Sequence, residues 1–135
     1  ERIDIQSKTK ILTITEMQRI DRLIAEAERA VAAGNLIEPV AENAHDKYRS
    51  VLAIDRNNAR AKAGIAALPG KARILFDQAM AGGRLNAAYE YLDTVLFLAP
   101  NEPTGPDMRT RLAVAYVEQA REKLAAGQAE AARTA

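Results

Sequence analysis

The chain has 135 residues, 48% of them apolar and 28 of them Ala, and 19 basic against 18 acidic side chains leave a net charge of +1. Only 4% is aromatic, and Trp and Cys are absent, which excludes an all-β fold, a disordered chain, thiolate or disulfide chemistry and a dedicated polyanion binder. A single His excludes a multi-histidine metal site, and no apolar run approaches the roughly 18 residues of a membrane span.

Residues 1–24 contain no Ala, whereas the remainder is rich in it. The opening Glu1-Arg-Ile-Asp-Ile-Gln alternates polar and apolar residues, so residues 1–12 read as an extended or disordered arm ahead of a helical domain over 13–135. The start at Glu1 rather than Met reads as excision from a longer polypeptide, and no signal peptide is visible. Thr13 with Glu16, or Thr15 with Gln18, closes a capping box for the first helix. Ile14, Met17, Ile20, Leu23 or Ile24, Ala27 and Val31 form its apolar stripe, and Gly34-Asn35 ends it. Pro39 suits the first turn of a second helix with the stripe Val40, Ala41, Ala44, Tyr48, Val51 and Leu52. The turn Asp55-Arg-Asn-Asn58 follows, its last Asn placed to cap a third helix.

Ala61, Ile65, Leu68, Ala72, Leu75, Phe76 and Ala79 keep one helical phase through Pro69-Gly70. Residues 59–82 are therefore one helix kinked at Pro69 or two nearly collinear ones. Gly82-Gly83 ends that segment, and residues 86–98 form the next helix, with Ala88, Leu92, Val95 and Leu96 inward. Pro100–Pro106 reads as a non-helical link. Asp107 is expected to cap a fifth helix that carries Leu112, Tyr116, Ala120 and Leu124 to Gly127, with a sixth beginning over 128–135. The fold class is all-α.

The helices pair, and the pairs share a pattern. In the middle unit Leu75, Phe76 and Ala79 precede Gly83, and Ala88, Leu92, Val95 and Pro100 follow. In the first, Ala27, Ala30 and Gly34 precede Ala44, Tyr48 and Val51, with five extra residues within Ile37–Glu42 and Arg56 where Pro is usual. Tyr116, Ala120, Gly127 and Ala132 keep the spacing in a partial third. This pattern resembles the tetratricopeptide repeat, a helix–turn–helix unit of 34 residues. Val95 departs from its usual small residue, and Ala59–Lys71 is extra. The resemblance spans about residues 17–135. It implies antiparallel helix pairs stacked as a right-handed superhelix of about two and a half units.

No constellation suggests chemistry. His45 has no second ligand nearby in sequence, Gly82-Gly83-Arg84 lacks the context of a phosphate loop, and Glu26, Glu28, Glu38 and Glu42 read as solvated helix faces. Ser7 and Ser50 lack nucleophile context. The expectation is a non-enzyme without cofactor or metal, and with no nucleic-acid partner. What the resemblance implies instead is a concave groove for a peptide or helix segment, lined by the first helix of each pair. On this chain the groove positions are Asp21, Ile24, Glu28 and Val31, then Arg73, Asp77 and Met80, then Val117, Arg121 and Leu124. The acidic Asp21, Glu28 and Asp77 oppose capture of a peptide carboxylate, and the apolar members favour a ligand with an apolar stripe. The alternatives are a self-assembly or dimerisation module and a regulatory spacer of a larger bacterial envelope protein. The lengthened first turn is similar to envelope-associated bacterial repeats, which points to a periplasmic setting.

Overall fold

The computed structural model describes residues 11–134, which form five helices and, among the described residues, no strand: α1 (Ile14–Ala32), α2 (Ala44–Ile54), α3 (Ala59–Ala81), α4 (Leu85–Leu98) and α5 (Gly105–Thr134). Most of the expected arm over 1–12 lies outside the described residues, and Ile11 and Leu12 carry no regular structure. The chain divides into two compact units, the first ending at Lys71 and the second starting at Ala72, so α3 contributes to both.

In the first unit, Thr13 caps α1 with the complete capping box. Its side chain accepts from the Glu16 amide, and the Glu16 carboxylate accepts from the Thr13 amide, each at 3.0 Å. At the other end Gly34 takes the left-handed conformation (φ 80°) that costs a glycine little. Its amide donates to the Val31 carbonyl and that of Asn35 to Ala30, so two otherwise orphaned carbonyls are satisfied. Helix α2 packs against α1, with Lys47 of α2 donating to Glu26 of α1 at 3.0 Å. Ala27, Ala44 and Val51 are fully buried. The small side chains let the helix axes approach toward the short end of 8–10 Å.

The start of α2 differs from the sequence expectation. Pro39, Val40 and Ala41 lie in the turn, Val40 is 85% exposed and Ala41 has a φ of 69°. Asn43 wins as the cap because it satisfies more groups than Pro39 can. Its side-chain oxygen accepts from the Asp46 amide at 2.7 Å, and its amide nitrogen donates to the Pro39 carbonyl and to Asp46. The Ala41 amide donates to the same Asp46 carboxylate at 2.8 Å. Leu36, 2% exposed, anchors this turn in the core.

Asn58 caps α3 as expected, accepting from the Ala61 amide at 2.9 Å. Helix α3 is one continuous helix with Pro69 inside it, which resolves the two readings of residues 59–82 in favour of one helix. Pro69 has no amide to give the Ile65 carbonyl. In the second unit α3 ends as α1 does, with Gly83 at φ 72°, its amide bonded to Met80 and that of Arg84 to Ala79. Helices α4 and α5 then pack antiparallel. Tyr116 donates to Asn86 at 2.8 Å near one end, and Leu96 lies against Gly105 at the other. Ala72, Phe76, Ala79, Leu85, Ala88, Leu92, Val95, Met108 and Leu112 are buried.

Two further boundaries differ. Helix α5 begins at Gly105, with Pro106 in the first turn, where its missing amide is harmless, and Asp107 two residues inside rather than capping. It also runs through Gly127 to Thr134, so no sixth helix starts there. An exposed helical glycine costs only about 1 kcal/mol, too little to stop a long helix. Tyr116 is half-buried rather than inward, and Ala120 and Leu124 are exposed.

Candidate functional site

The first unit presents one cleft with an apolar floor. Val31 from α1, Tyr48 from α2 and Gly64, Ala67 and Leu68 from α3 line about 230 Å³, with the exposed Glu28 and Lys71 also on its lining. The local sequence explains the shape. Tyr48 is buried, and its ring lies directly over Gly64, where any Cβ would fall into the ring atoms. Gly64 therefore lets the aromatic ring sink toward the α3 backbone. Burial raises the Tyr48 hydroxyl above its ordinary titration range, and the nearby Glu28 charge adds to it.

The groove positions expected from sequence divide sharply. Glu28 and Val31 meet in this cleft. Ile24, 4% exposed, belongs to the core and is not offered to a ligand. The expectation placed it one helix face too far outward, because an apolar residue beside a stripe is ambiguous by about 100° of rotation. Asp21 is exposed and accepts from Arg60 at 2.7 Å.

In the second unit Arg73 donates to Glu102 at 2.8 Å, bracing α3 against the link before α5. It is occupied structurally rather than presented. Thr104 donates to the same carboxylate from its hydroxyl and amide, and these bonds hold Glu102 below the usual carboxylate range. Asp77 accepts from Arg111 at 3.2 Å, and the Arg111 guanidinium lies 5.3 Å from the centre of the Phe76 ring. Met80 is half-buried, while Val117, Arg121 and Leu124 stand exposed on α5.

Sequence reasoning missed Tyr48, Gly64, Leu68 and Lys71 as cleft residues. Tyr48 and Leu68 read as core, which their burial agrees with, and only contact across helices makes them a cleft floor as well. The visible signal was Gly64, an isolated glycine in an Ala-rich helix, which marks a close approach.

A second, polar depression in the same unit is lined by Glu26, Arg29, Asn35, Glu42 and Lys47 among others. Lys47 and Glu26 are already paired there, and the bond from Lys47 holds Glu26 below the usual carboxylate range. Among the described residues no group of three His, Asp or Glu side chains is arranged to hold a metal ion. Likewise no helix is long and apolar enough to cross a membrane. No family model matches this chain, and no curated protein or solved structure matches it either.

Proposed function

We propose that the chain is a non-catalytic binding module that takes an apolar side chain of a peptide or helical segment into the cleft of the first unit. The observation that carries this reading is the cleft itself: an apolar floor of Val31, Tyr48 and Leu68 with an acidic and a basic residue on its lining. At about 230 Å³ it is smaller than the usual small-molecule pocket. It suits one or two side chains of a longer ligand, with Glu28 and Lys71 selecting a basic and an acidic neighbour on that ligand.

The same proposal takes α1 with α2, and α3 with α4, as repeats of one helix–turn–helix unit of the tetratricopeptide type, with superhelical stacking as part of it. Support comes from the shared ending of α1 and α3 at a left-handed glycine. The buried Ala30 and Ala79, each four residues before that glycine, add to it, as do the buried Ala44 and Ala88 near the start of the following helices.

Selection of peptides from a displayed random library on the 135-residue protein tests the binding reading. Enriched peptides should share an apolar anchor, shift the amide resonances of Val31, Tyr48, Leu68 and Lys71, and lose affinity at least tenfold for a folded Val31→Glu variant. Shifts confined to α4 or α5, or equal binding by the variant, would overturn it.

A further inference from the structure

Residues 120–134 continue α5 for about four turns with every side chain exposed. Along this stretch and the turn before it, Val117, Ala120, Leu124, Gly127, Ala131 and Thr134 recur at alternating intervals of three and four, the spacing of a two-helix seam. Val117 is 50% and Leu124 63% exposed, and nothing lies within 4 Å of the place where a Gly127 Cβ would stand. The helix thus carries an apolar knob and an open hole one turn apart on the same face. Helices of this length are marginal in water without packing, and a glycine weakens them further.

We propose that this seam pairs with the same seam of a second copy, antiparallel, with Leu124 seated over Gly127 of the other copy. Residue size selects that register. With Leu124 against Gly127, Ala131 faces Ala120 and Val117 faces Thr134, so the largest residue meets the smallest and no layer sets two large residues together. A parallel pair would instead set Leu124 on Leu124 and leave a void between two Gly127 positions.

Charge selects the same arrangement. Lys123 and Glu130 flank the seam on one side, and the antiparallel register brings Lys123 of each copy to Glu130 of the other, two symmetric pairs of opposite sign. Moving the register by one heptad sets Lys123 against Lys123, and a parallel pair sets it against the neutral Gln128. In the single chain the Glu130 carboxylate bonds the exposed Arg133 at 3.1 Å, an exchangeable surface contact. The seam is short, well under the area of a standard stable interface, so pairing is weak and depends on concentration.

Sedimentation equilibrium of the 135-residue protein from about 5 to about 500 µM, a range suited to a small interface, tests the inference. The average mass should rise from that of one chain toward twice that value. Lys123→Glu and Glu130→Lys should each hold the protein at single-chain mass, and the double variant should restore pairing, because the charges then meet in reverse order. Gly127→Leu should abolish pairing while far-ultraviolet circular dichroism shows equal or greater helix content, which separates loss of the hole from loss of the fold. A single-chain mass at every concentration would overturn the inference and leave this face to a different protein. Pairing indifferent to the single charge changes, or not restored by the double one, would overturn it equally, by placing the contact elsewhere.

Discussion

The hairpin of α1 and α2 and the pair formed by α4 and α5 obey similar sequence rules and end differently. In the first, the small residues Ala27 and Ala44 sit at zero exposure against a partner helix, and even the long turn between the helices is tied down by Asn43, Asp46 and Leu36. In the second, Ala88 is equally buried. Ala120, which fits the same pattern by spacing, stands in solvent with Leu124 beside it. A stripe of small residues therefore says how near another helix can come. It does not say that one has come.

Substitution should break the likeness most where burial differs most. Ala88→Leu has no room and is expected to cost about 1–3 kcal/mol by overpacking, whereas Ala120→Leu should stay within about 0.5 kcal/mol of the parent. Urea unfolding of dilute samples measures both, and equal losses would mean that α5 is covered at Ala120.

Gly64 and Gly127, both within helices, provide a finer contrast. Gly64→Ala should destabilise by about 1 kcal/mol, because the clash with the Tyr48 ring outweighs the gain in helix propensity. The same change at Gly127 should stabilise by up to about 1 kcal/mol, since its surroundings are open. Opposite shifts in thermal midpoint are the expected readout.

Acid should separate the units least strongly but in a defined order. Burial holds His45 below its ordinary value of 6.5, and the charge of Arg49 adds to this, so the unfolded chain binds that proton more readily. First-unit stability therefore falls as pH drops below 6.5. Asp46, held low by the Ala41 amide, and Glu26, held low by Lys47, favour folding above their ordinary values of 3.8 and 4.5 and withdraw that support as pH falls through their lowered values. In the second unit only Glu102 is shifted in this way among the described residues. Stability measured at pH 7 and 5.5 should drop for the parent and hold for His45→Gln. A drop of the same size in both would remove His45 from the account.

Much of the helix plan was legible because its signals are local. Thr13 with Glu16, Asn58, Gly34 and Gly83 each satisfy orphaned backbone groups within a few residues, and such bonds do not depend on the rest of the fold. The misreadings arose where two local signals compete. Pro39 and Asn43 both start helices, and the winner was decided by a network through Asp46 that spacing alone does not show. Gly127 resembles a stop, yet its penalty is small beside a helix that continues on either side, whereas at Pro69 the unbroken apolar phase had kept a single helix among the readings. The cleft was half legible. Glu28 and Val31 follow from helical phase, but Tyr48 and Gly64 lie sixteen positions apart in different helices, and only packing brings them together.

The side-chain bonds described here reach no further than the 39 positions between Asp21 and Arg60. A chain whose contacts are this local closes small loops and folds quickly. It can also fold in the order in which it is made. Once Lys71 is available, every residue of the first cleft is present, so that unit can finish before the residues of α5 exist. During synthesis, the binding surface proposed for the first unit would then be mature while the seam proposed for self-pairing is still unmade.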